Sequence, residues 1–578
     1  MATIRNGNIL TKNLGIDMNL VFRGATLFDG TGEERRERTD VAVEDGTIQA
    51  VGADLPAPSD ATVVDADGLG LMPGIIDSHT HYDAQITWDP FLTPSPSLGV
   101  TTAVIGNCGF TIAPCRDEDR DLVMRNLTQV EGMSLEVLRD GIEWDFESFP
   151  DYLDAIERRG VAANVAAFIG HSALRTYVMG GDAVERAATA DEVATMADLV
   201  RAAMRAGAIG FATSTAPQHN GWGGVPMPSR LADDAELYAL TGAMADEGRG
   251  IFMLTKGNRT DVPYLEKMAA EVGRPIMIAA LLHNPTNPTG TFGELEQIAA
   301  ARARGHELWG QVSCCPLTMD FTLASAYPFE GFKAWSPAMK VSGDALKQML
   351  ADPGFRQTVK DELEQPAGVR LFNGEWHKIV LTEVAEEKNR SLEHRSVADL
   401  SAEAGRHPFD WMLDFAVSED LRTLFTAVLL NSDEDAVGRM IRDPNASVAL
   451  SDAGAHLTFF CDAGFGLHLM GHWSRTLGTL TLEQAVHELT AKPAGIFRLP
   501  GRGRIAPGYA ADLVLFDPAR VDRGPKRRVR DLPTGAARLT TDAVGLHGVW
   551  VNGVPVVDRD GTMQRDERPG RLLRRFDA

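Results

Sequence analysis

Short, almost unbroken apolar runs alternate with longer stretches of mixed polarity across residues 73–495. Strands buried on both faces give the first pattern and amphipathic helices the second. Eight such runs are present: LMPGIIDSHTH (71–81), GVTTAVIGNCG (99–109), AANVAAFIGH (162–171), AGAIGFATST (206–215), GIFMLTKGN (250–258), RPIMIAALLHN (274–284), HELWGQVSC (306–314) and SVALSDAGAH (447–456). Repeated strand–helix units predict a parallel sheet, and eight of them predict an α/β fold of the (β/α)8 TIM-barrel type.

The two ends of the chain have a different texture. Residues 19–70 read as short β-branched strands separated by turns with Asp-Gly pairs, and the same texture returns in ADLVLFDPARV and GVWVNGVPVVDRDG. The spacing predicts one small discontinuous β-sandwich domain built from residues 1–72 and 496–578. Within 73–495, roughly 130 residues separate the seventh and eighth strand candidates, far more than an ordinary connection. Residues 315–445, including SAYPFEGFKAWSPAM and LFNGEWHKIVL, are therefore expected to contain a lid or substrate wall.

Polar residues close the apolar runs: His81, Cys108, His171, Ser214, Lys256, His283, Cys314 and Asp452. In a barrel of this type the C-terminal ends of the strands gather the catalytic groups. His79 and His81 are two residues apart, so in an extended strand both imidazoles project to one face and can share a cation. A carboxylate at Asp452 can bind metal as an anion and accept a proton from water, although Ser451 or Asp452 could equally cap the following helix.

Composition narrows the partners. A net charge of -24 argues against a nucleic-acid surface, whose affinity comes from basic side chains, and points to a small-molecule substrate. The basic runs Lys526–Arg530 and Arg571–Arg575 read as solvated surface. The segment MATIRNGNILTKNLGID lacks the apolar core of a secretory signal, and no apolar run approaches the ~18 residues of a membrane helix. A cytoplasmic protein is expected, with its five cysteines reduced and Cys108 free to bind metal. A homo-oligomer is the default for such enzymes.

PGIIDSHTHYD resembles the first-strand motif of the amidohydrolase superfamily, and GVTTAVIGNCGFTIAP resembles the second strand of its D-aminoacylase branch, the N-acyl-D-amino-acid deacylases. GHSALR, GAIGFATS, SDAGAHL, KPAGIFRL, GRIAPGYAADLVLFDP and VNGVPV extend the resemblance over nearly the whole chain. It implies that Cys108 is a metal ligand beside His79, His81 and Asp452, with His283 as a further ligand after the sixth strand. Imidazole, thiolate and carboxylate together suit zinc, one or two ions per subunit. The implied reaction is attack of metal-activated water on the amide of an N-acyl amino acid, with Asp452 as general base. A cyclic amide, lactone or carbamate handled by the same groups is the nearest rival, and a metal-poor binding relative is a third reading.

The chain departs from the branch on its fifth and sixth strands, where histidines are usual: His283 comes a few residues later than the pattern places it, leaving a loop-borne ligand, a substrate contact or simple packing open, and on the fifth strand Lys256 stands instead. Three roles remain open for it: a carboxylated bridging ligand, a contact to an anionic substrate group, or a structural ion pair. His171 is expected to support a ligand or touch substrate, His219 and His456 lie near strand ends, and Arg175 and Arg259 could clamp a carboxylate.

Overall fold

The computed structural model describes residues 19–130, 132–365 and 370–576. The segment 1–17, which carried the reading against a secretory signal, lies outside the described residues. Eight strands form a curled parallel sheet: Ile75–Asp77, Val100–Ile105, Asn164–Gly170, Gly210–Ser214, Ile251–Thr255, Ile276–Leu281, Leu308–Val312 and Ala446–Val448. They are hydrogen-bonded in chain order. Beyond their regular ladders the first and eighth strands meet through a parallel bridge between Thr80 and Ala453, with His81 N donating to Ala453 O at 2.8 Å. Seven of the eight apolar runs hold one of these strands whole, and the eighth overlaps Ala446–Val448. The intervening polar stretches fold as helices with local start signals; Ala190–Ala206, for example, opens on a capping box between Thr189 and Glu192 and ends at Gly207.

Strands from both ends of the chain enter one mixed sheet of eight strands. Two further strand pairs of the C-terminal segment, Asp522–Arg523 with Ala543–Val544 and Arg527–Val529 with Arg538–Thr540, stand outside it. Asp-Gly turn chemistry is visible in it: Arg36–Glu44 returns as Thr47–Gly52 through Asp45 and Gly46, both at positive φ, as a two-residue hairpin turn requires. Leu513–Phe516 lies antiparallel to Gly70–Pro73, and Gly74 N donates to Asp512 O at 2.8 Å just before the first barrel strand begins. The sheet therefore anchors the strand that carries His79 and His81.

The segment between the seventh and eighth barrel strands has its own three-stranded antiparallel sheet, formed by Thr318–Phe321, Leu424–Val428 and Ile379–Glu383 with the second in the middle. Aromatic residues such as Phe329, Phe372, Phe409 and Phe425 fill a core separate from that of the barrel. Leu317, Met319, Tyr327 and Leu430 of this segment line the cavity at the barrel mouth. No described helix is long and apolar enough to cross a membrane.

Candidate metal centre and cavity

His79, His81 and Cys108 come together at the C-terminal ends of the first two strands, with ligand atoms all within 4.8 Å of one another and all three side chains buried. Cys108 Sγ lies 3.5 Å from His79 Nε2 and 3.9 Å from His81 Nε2. From the far edge of the sheet, Asp452 Oδ1 reaches to 3.4 Å from His79 Nε2 and 3.7 Å from His81 Nε2. The approach depends on local backbone geometry. Cys108 and Asp452 both have positive φ, at 57° and 47°, a conformation unusual outside glycine and characteristic of functional sites. Gly106 at φ 83° and Gly454 at φ 93° sit so close to the neighbouring strands that a Cβ would lie 2.6 Å from Phe168 O and from the His81 carbonyl group respectively.

The electrostatics suit a cation. Burial would push the Cys108 thiol up, but the positive field of His79 and hydrogen bonds from both imidazoles bring it down to about 6. Thr255 Oγ1 donates to the same sulfur at 3.0 Å. Burial likewise works against the Asp452 carboxylate, yet the His81 hydrogen bond and the charge of His79 hold it well below the usual range. His79 Nδ1 lies 2.7 Å from Gln311 Oε1, which fixes the ring so that Nε2 faces the cluster. Two imidazoles, a thiolate and a carboxylate form a donor set of the kind that binds zinc, so the residues fit a divalent metal.

The cluster opens onto a cavity of about 430 Å³. His219 and His456 face it as neutral imidazoles, pushed down by burial to about 3 and about 4. His219 Nδ1 is 2.7 Å from Ser214 Oγ. Lys256 also lines the cavity, with Nζ 2.5 Å from Glu294 Oε1. Arg370, from the wall segment, donates to the carbonyl oxygens of Glu362, Leu363 and Gln365 and, among the described residues, pairs with no carboxylate.

Four residues singled out in the sequence, His283, His171, Arg175 and Arg259, are elsewhere. His283 is not gathered with the donor cluster. Its backbone N donates to Asn431 Oδ1 at 2.7 Å and its O accepts from Asn431 N at 2.9 Å, while its ring packs near Phe292. These contacts tie it to the wall segment. His171 is completely buried between Thr213 Oγ1 (2.7 Å) and Glu236 Oε1 (2.8 Å), and Glu236 in turn pairs with the buried Arg175. Arg259 pairs with Asp234 near the surface. Conversely, Gln311, Thr255, Glu294 and Arg370 escape sequence reasoning. Only Gln311 leaves a signal, since an amide inside a strand buried on both faces must find a partner.

The amidohydrolase family model matches residues 62–319 and 372–557, and the chain belongs to that family. Within it the similarity lies with the D-aminoacylase branch. A D-aminoacylase of Alcaligenes xylosoxydans xylosoxydans is 30% identical over 97% of this chain and 98% of its own length. An N-acyl-D-aspartate deacylase of the same organism is 29% identical over 97% and 96%. The crystal structure of an N-acyl-D-glutamate deacylase from Bordetella bronchiseptica, complexed with zinc and a phosphonate mimic of the tetrahedral intermediate, superposes with a TM-score of 0.66 at 26% identity, covering 97% of this chain and 100% of that one. The protein is thus a metal-dependent amidohydrolase acting on small amides.

Proposed function

We propose that the protein hydrolyses the amide bond of N-acyl-D-amino acids with zinc as its metal. The observation that carries this reading is the placement of the donor cluster and Asp452 on one cavity, with Arg370 among its lining residues. The names of the relatives supply the D-amino-acid class and zinc. When bound, the cation contributes Lewis acidity and makes water nucleophilic near neutral pH.

His79, His81 and Cys108 would hold it, with Gln311 keeping His79 in the orientation and tautomer that binding needs. Asp452, ionised and within reach of the cluster, takes the proton of the attacking water and returns it to the leaving nitrogen, which could not depart as an amide anion. Arg370 offers a charge-assisted contact for the substrate carboxylate. The neutral imidazoles of His219 and His456 are placed to hydrogen-bond the scissile carbonyl.

Amine release from N-acyl amino acids of both hands, measured on zinc-loaded protein beside a cyclic amide and a lactone, tests the reading. Turnover of the D-amides is expected. Turnover confined to the cyclic amide or the lactone would refute it.

A further inference from the structure

Two of the relatives described above are named for acidic amino acids and the third for no particular side chain, and identities of 29%, 26% and 30% do not choose among them. The cavity does. Lys256 follows the fifth barrel strand, and Glu294 lies on the helix Gly290–Ala303 that follows the sixth. Gly290, Thr291 and Glu294 all line the cavity, which places Glu294 on the helix face turned towards substrate. Both partners of the 2.5 Å ion pair are mostly covered, with 14% of the Lys256 side chain and 28% of the Glu294 side chain exposed. A second carboxylate, Asp261, faces the same cavity.

We infer that Glu294 is a specificity-determining residue: by occupying Lys256 it closes this part of the cavity to acidic groups, so the amino-acid side chain of the substrate carries no negative charge. The inference rests on the proposed N-acyl-amino-acid hydrolysis and sharpens it. A substrate carboxylate reaching for Lys256 would come to lie beside Glu294, where two like charges repel strongly in a partly desolvated site. Displacing Glu294 instead would strip a mostly covered carboxylate of its partner. An uncharged side chain meets neither obstacle and leaves the ion pair intact, with Asn258 and Asn284 available from the same two loops.

The test is kcat/KM of the zinc-loaded enzyme on N-acetyl-D-glutamine and N-acetyl-D-leucine against N-acetyl-D-glutamate and N-acetyl-D-aspartate. Wild type is expected to favour the uncharged pair, a result read without any variant. In Glu294→Gln the acidic-to-uncharged ratio should rise about tenfold or more, mainly through a lower KM for the acidic substrates, as removal of one adjacent like charge requires. Adding Lys256→Met should cancel that rise. A wild-type preference for the acidic substrates, an unmoved ratio in Glu294→Gln, or a rise that survives Lys256→Met would overturn the inference while leaving the proposed function standing. No turnover of any N-acyl amino acid would instead overturn the proposed function itself.

Discussion

His79 Nδ1 and Gln311 Oε1 are 2.7 Å apart, joining the first barrel strand to the seventh behind the metal cluster. The amide oxygen accepts the Nδ1 proton and leaves the Nε2 lone pair for the cation. Gln311→Leu, close in size but without the acceptor, should weaken metal binding by about 10–100-fold. Competition with a chromogenic chelator measures the change. Gln311→Glu keeps an acceptor at the same place and should retain most of the affinity.

Replacing His79 or His81 with alanine should strip the metal and abolish turnover while the thermal transition persists, since each change removes a ligand from the cavity edge. Asp452→Asn should act differently. Metal affinity should fall less than in the histidine variants, the amide oxygen still being a ligand, while kcat of the metal-loaded protein falls about 10²–10⁴-fold with little change in KM, the mark of a lost proton acceptor. Elemental analysis together with steady-state kinetics distinguishes the two.

Cys108 should resist iodoacetamide when metal is bound and react first among the five cysteines once a chelator has removed it. Coordination consumes the thiolate, and the other four thiols are buried away from the cluster. Peptide mapping of the labelled protein reads the result, and equal labelling in both states would count against Cys108 as a ligand.

Glu330 gives the wall segment a pH dependence. Its carboxyl is buried beside an aromatic core, one of its oxygens has no partner, and burial pushes it from the ordinary carboxylate range up to about 7. The folded state thus holds a proton that the unfolded chain releases. The resulting stability is complete below about pH 4.5 and is lost as pH rises towards 7. Glu330→Gln should therefore raise stability above pH 7 by about 3 kcal/mol, at roughly 1.4 kcal/mol per pKa unit, and bring no gain at pH 4. Denaturant melts across that range provide the comparison.

The barrel and the position of His79, His81, Cys108 and Asp452 were legible because each follows a local rule. Two of them lie two residues apart just past the end of one strand, and all four stand where an apolar run stops. Contacts between loops obey no such rule. Glu294 meets Lys256 only because the helix after the sixth strand leans over the fifth, and Gln311 meets His79 only because the sheet curls. His283 shows the converse: it closes an apolar run as the ligands do, yet hydrogen bonds to Asn431 commit its backbone to the wall segment. A strand end marks which residues come near the mouth of the barrel, while the loops beyond it decide which of them meet.

The mixed sheet imposes an order on biosynthesis. Gly70–Pro73 has the early strand Leu20–Leu27 on one side, but its partner on the other, Leu513–Phe516, is translated about 440 residues later. At about 5–20 residues per second, the nascent chain carries an open strand edge for roughly 20–90 s. Until the C-terminal strands dock, Gly70–Pro73, which leads into the first barrel strand, is therefore paired on one side only.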